Sequence, residues 1–190
     1  MSAAWKSEVA RLQGRLKAQG CYAGRIDGDF GPLTLAGVLS AWGGPSWLRA
    51  AAGELGVAEV PGPGDNPRIA AYHGATALAA TDDEVPWCSS FANWCMREAG
   101  LGGTGSAMAR SWLAWGKACG GGLGSVVVLS RGKAPAGHVG FEVWRDATRV
   151  WLLGGNQGDR VKVQAFPRAA VLGCRWPRGK AAAAAMEEAA

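Results

Sequence analysis

This chain carries few side chains able to do acid–base work. Its 190 residues include two histidines, His73 and His138, and only 18% are charged. Any imidazole chemistry therefore rests on one of two positions. No apolar run approaches the roughly 18 residues needed to cross a bilayer, so no membrane span is expected. The five cysteines are odd in number and contain no C-x-x-C pair. That excludes a disulfide framework and a zinc ribbon as first readings, and the thiols read as reduced. The opening MSAAWKSEVARLQGRLK interleaves charge with apolar positions, which is not a secretory leader, so synthesis in the cytoplasm without a signal peptide is expected. A net charge of +5 and a pI near 9.2 would suit an anionic partner. The basic residues are scattered, however, and read as a solvated surface rather than a nucleic-acid footprint.

Breakers divide what is present. Gly43-Gly44-Pro45 separates an amino-terminal stretch, 1–43, from the remainder. Within that stretch Val9, Leu12 and Leu16 recur at helical spacing before Gly20, and Asp27-Gly28 offers a tight turn. Pro32, suited to a first helical position, then opens a second helix with Leu35, Val38 and Leu39 on one face. The run Asp27-Gly28-Asp29-Phe30-Gly31-Pro32-x-Thr34, with Leu12-Gln13 and Gly20, resembles the small helical peptidoglycan-binding module of cell-wall hydrolases. That resemblance implies wall-binding roles for Asp27, Asp29, Phe30 and Thr34.

Beyond the breaker, helices come first. Ser46 is placed to cap one running to Leu55, a short one surrounds Ile69 to Tyr72, another spans Cys88 to Ala99, and a fourth is expected over 107–118. His73 falls at a helix end and reads as a surface or capping residue. From residue 125 the runs SVVVLS, HVGFEVW, RVWLLGG, RVKVQAF and VLGCRW are β-branched or aromatic and separated by turn residues. Helices followed by strands predict an α+β domain with an antiparallel sheet over 46–178. An alanine-rich tail, 179–190, follows.

The stretch VPWCSSFANWC holds two cysteines on one helix. Seven residues of helix separate them by about 10 Å, too far for a disulfide. Cys88 opens the helix, where unpaired N–H groups and the dipole favour thiolate; Cys95 lies on the apolar stripe and reads as packing, as do Cys21, Cys119 and Cys174. A nucleophilic thiol needs a base, and His138 begins a strand at the rim of the sheet. A hairpin centred on Ala147 pairs Trp144 with Val150, Glu142 with Leu152 and His138 with Asn156. The expected constellation is Cys88–His138–Asn156, the Cys-His-Asn form of the catalytic triad. Glu142 is the next residue to test if Asn156 points elsewhere. A zinc site on Cys88, Cys95 and His138 is disfavoured by the seven-residue spacing, and no metal or cofactor is expected.

In order, Glu59-Val60-Pro61-Gly62, Pro86-Trp87-Cys88, Gly137-His138-Val139-Gly140 and Gly154-Gly155-Asn156-Gln157 resemble the papain-like cell-wall cysteine hydrolases of the CHAP and NlpC-like types, in particular a phage-associated branch. The resemblance covers residues 47 to 177. It implies a papain-like fold, an endolysin that cleaves an amide of the peptidoglycan stem, and action on the wall after release across the inner membrane, by what is expected to be a monomer. Glu84, Trp87, Trp112 and Gln157 become candidates for substrate binding. The pattern departs from its relatives at Asp82, Asp83 and Glu84, where a glutamine or tyrosine often completes the oxyanion hole. A bacterial toxin or tail-associated hydrolase with the same chemistry is the nearest rival, and a non-catalytic wall-binding protein is a rival of another class.

Overall fold

The computed structural model describes residues 3–179, so the tail expected over 179–190 lies, from residue 180, outside the described residues. Two compact units divide between Gly44 and Pro45.

The first unit pairs α1 (Ala3–Ala18) with α2 (Pro32–Trp42). Val9, Leu12, Leu16, Leu35 and Val38 are buried, as their spacing predicts. The turn between the helices is organised by one buried amide, that of Gln13. Its Oε1 accepts the backbone N–H of Asp27 (3.0 Å) and Gly28 (2.9 Å), while its Nε2 faces Asp27 Oδ1, the Asp29 carbonyl, Thr34 Oγ1 and Tyr22 OH. The same hydrogen bond holds the Asp27 carboxyl below its ordinary range. Gly28 has a φ of +74°, and a Cβ there would sit 2.4 Å from the Lys6 carbonyl oxygen. Only glycine fits that close approach.

The second unit contains α3 (Ser46–Gly53), α4 (Pro67–His73), α5 (Cys88–Glu98) and six strands: β1 (Lys117–Cys119), β2 (Val126–Ser130), β3 (Gly137–Arg145), β4 (Arg149–Gly154), β5 (Lys162–Pro167) and β6 (Val171–Trp176). They form one antiparallel sheet in the order β1-β6-β2-β3-β4-β5. The unit is α+β, helices first. α5 packs on β3, in the middle of the sheet. Val139, Phe141 and Val143 are buried, while Val127, Leu129, Val150 and Leu152 form a core with Phe166 and Val171.

Three local expectations are corrected. The helix expected over 107–118 is a 3₁₀ turn, Ala109–Ala114, and the chain then enters β1, a strand too short to carry a period. Ser46 is the first residue of α3 rather than its cap, which is Pro45. The β3–β4 hairpin is not symmetric. Glu142 opposes Leu152, as expected, but Trp144 opposes Trp151 and Arg145 opposes Val150. Asp146 Oδ1 accepts the N–H of both Thr148 and Arg149, which tightens the turn, and a bulge at Val143 absorbs the extra residue.

Candidate functional site

Cys88 is the first residue of α5, with Trp87 at the N-cap. Trp87 fixes this start. Its ring packs tilted against Tyr72 and edge-on against Phe91, its Nε1 donates to Glu59 Oε1 at 2.8 Å, and it lies so close to Gly155 that a Cβ there would come within 2.4 Å of the ring. The Glu-Val-Pro-Gly and Gly-Gly-Asn-Gln motifs thus meet on one tryptophan. Trp87 is fully buried, and so is Trp112, whose Nε1 donates to Ser89 Oγ. Neither lines a groove, which corrects the expectation that they contact substrate. Burial raises the Glu59 carboxyl above its ordinary range, with Asp159, Asp83 and Glu84 adding to the effect. Glu84 is exposed.

Hydrogen-bond alternation on β3 leaves one donor over. Glu142 donates its N–H to the Ser125 carbonyl on the β2 side, so the odd-numbered residues of the strand direct theirs toward β4. β4 ends at Gly154, opposite the middle of β3, and gives no partner to residues 137–139. The backbone N–H of Val139, left over by that departure, favours the charged form of the Cys88 thiol. Cys88 is 8% exposed. Burial pushes its thiol up, opposed by the Val139 N–H and by the positive charge of Arg131.

His138, one residue before Val139, is fully buried beside the Phe166 ring. Its Nε2 stands 2.9 Å from Gln157 Oε1. Gln157 spends its amide N–H groups on the carbonyls of Leu152 (3.0 Å) and Lys162 (2.5 Å), so its oxygen must accept. The proton of the neutral imidazole then sits on Nε2, and Nδ1 keeps a free lone pair. Nδ1 is buried and makes no hydrogen bond to the Cys88 thiol or any other group. Burial lowers the imidazole to about 4, against the Gln157 hydrogen bond, and Arg131 lowers it further. Thiol and imidazole are both neutral at neutral pH.

Asn156 is not the residue that holds the ring, and this is the main correction to the expected site. It lies past the end of β4 with a φ of +52°, a left-handed conformation that asparagine tolerates better than most residues. That turn carries the chain inward, and the Gln157 N–H bonds the Arg160 carbonyl. Gln157, expected to touch substrate, is fully buried with every polar group of its side chain engaged inside the fold. A sequence signal for this exists. Of two adjacent amides, the asparagine suits the left-handed turn, which leaves the glutamine to bond inward. Glu142 is unavailable to His138, because its carboxylate is taken by Arg145 and Ser125.

The remaining expected residues fall into place as follows. Cys95 is fully buried in α5, and burial raises its thiol well above the ordinary range, in keeping with packing. His73, expected at the surface, is fully buried at the end of α4 with Nδ1 3.0 Å from Ser90 Oγ, so it ties α4 to α5. In the first unit, Asp27 and buried Thr34 are bonded to Gln13 and build the turn, Asp29 is exposed and 3.4 Å from Lys6, and Phe30 is half-buried.

Comparison of the chain with protein-family models, with curated proteins and with solved structures finds no match.

Proposed function

We propose that the second unit is a cysteine hydrolase of papain-like fold that cleaves an amide bond of the peptidoglycan stem, and that the whole acts as an endolysin. The observation that carries the chemical part is the His138–Gln157 pair. A buried amide with both donors spent fixes the imidazole in the tautomer that leaves Nδ1 without a proton, one residue from the Val139 N–H that favours the charged form of the Cys88 thiol. The choice of peptidoglycan rests on the ordered motifs around Glu59, Cys88, His138 and Gly154.

In this reading Cys88 gives its proton to His138 Nδ1 as the sulfur attacks the amide carbon. The gap between the resting thiol and the ring closes when substrate binds, as is common for catalytic hydrogen bonds. The Val139 N–H and Arg131 stabilise the sulfur as it gains charge, and the free N–H groups at the start of α5, that of Cys88 among them, face the oxyanion. His138 passes the proton to the departing amine. Water, deprotonated by the same nitrogen, then attacks the thioester, releasing a carboxylate and restoring the thiol. Gln157 holds the ring and touches no substrate.

Incubation of purified protein with bacterial sacculi, followed by mass spectrometry of the soluble products, tests the reading. New amine and carboxylate ends in the stem, absent with Cys88→Ala, are expected. Release of the same products by Cys88→Ala would exclude the cysteine mechanism, and absence of products from the unmodified protein would exclude the substrate. The first unit is assigned to wall binding, so removal of residues 1–43 should lower co-sedimentation with sacculi while leaving cleavage of soluble muropeptides in place.

A further inference from the structure

Away from the cleft, two thiols oppose one another across neighbouring strands. β1 and β6 run antiparallel with Cys119 directly opposite Cys174. Opposed residues of such a pair project to the same face with Cα atoms about 4.5–5.5 Å apart, inside the roughly 4.4–6.8 Å that a disulfide spans. Both cysteines are free and half-buried, and both line one cavity of about 330 Å³ together with Arg145 and Arg168. A small oxidant can therefore reach them. Arg145 Nη2 lies 3.9 Å from Cys174 Sγ; burial raises this thiol, and Arg145 opposes that rise in favour of the thiolate from which exchange starts.

We propose that Cys119 and Cys174 are a redox site that closes into a cross-strand disulfide when a small-molecule disulfide oxidant is present. One thiolate attacks a sulfur of the oxidant and expels a first thiolate, leaving a mixed disulfide. The second cysteine attacks that bond at the protein sulfur and expels the other half. Two cysteine protons end on the two released thiols, and the oxidant is reduced by two electrons. The consequence is local. β1 is three residues long at the edge of the sheet with Lys117 and Ala118 exposed, and the bond ties it to β6 by closing a loop of roughly 55 residues.

The test is to incubate the fully reduced protein with glutathione disulfide and to read intact mass, peptide map and melting temperature. The expected results are a loss of about 2 Da, a peptide joining Cys119 to Cys174 that disappears in both Cys119→Ser and Cys174→Ser, and a rise on the order of 5–10 °C reversed by dithiothreitol. An unchanged mass, a persistent glutathione adduct on either cysteine, or a link between any other pair would overturn the site. A correct link with an unchanged melting temperature would overturn its role in holding β1. The primary readout uses the unmodified sequence, so poor folding of a serine variant cannot obscure it.

Discussion

Each unit is organised around a fully buried glutamine, and the two are used differently. Gln13 accepts two backbone N–H groups and turns its nitrogen toward four acceptors that share its protons. Its partners are backbone, hydroxyls and one carboxylate, so no basic lone pair is left over, and the outcome is a fixed turn. Gln157 makes a similar set of bonds, but one of its partners is an imidazole. Fixing one ring nitrogen leaves the other with a defined role. A buried amide is costly unless satisfied, and any reactivity comes from what the amide fixes rather than from the amide.

The largest expected effect lies at the thiol. Cys88→Ser should abolish hydrolysis of sacculi, a loss of at least about 10⁴-fold, whereas Cys95→Ser keeps most of the activity; equal loss in two folded variants would make the α5 assignment wrong. Next comes the residue that separates the two glutamines in kind. Gln157→Ala should reduce the rate constant by roughly ten- to a thousandfold, as expected for loss of an orienting group, with little change in KM because it meets no substrate. Gln13→Ala should leave cleavage of soluble muropeptides unchanged and destabilise the first unit by about 2–4 kcal/mol, since several buried partners lose their bonds at once. A loss under about 1 kcal/mol in a denaturant titration would show that the turn holds without the amide. Asn156→Gly should be the mildest, leaving the rate near that of the unmodified enzyme, because glycine keeps the left-handed turn; a rate as low as that of Gln157→Ala would return the orienting role to Asn156.

Much of the architecture was legible. Period 3.6 before residue 100 and β-branched runs after 125 fixed the fold class, and Cys88 could be placed at a helix start because Pro86 and Gly100 bracket the segment. The part that was not legible came from backbone detail beyond periodicity. An Asx turn at Asp146 shifts the register by one residue through a bulge at Val143, and β4 stops before Asn156 because that residue turns left-handed. The expected pairing continued a straight ladder past the point where the strand ends. The sequence does not decide between groove and core for Trp87 and Trp112, because a tryptophan near a nucleophile looks the same in sequence whether its ring faces a groove or, as here, is fully buried.

His138 also makes stability depend on pH. Its folded value, about 4, lies below the roughly 6.5 of an unfolded histidine. The unfolded chain therefore takes up a proton first as pH falls. Stability should decline from about pH 6.5 toward 4, by on the order of 3 kcal/mol from this group, with buried His73 acting in the same direction. His138→Gln should flatten that slope in urea titrations across the window.

The most direct measurement is nitrogen NMR of histidine-labelled protein, following the ring nitrogens of His138 from neutral to acid pH. The expected result is a proton on Nε2, a bare Nδ1, and no titration until pH approaches 4, with the tautomer preference lost in Gln157→Leu. A proton on Nδ1 at neutral pH, or titration near 6.5, would contradict the assignment of His138 as a neutral base held by Gln157.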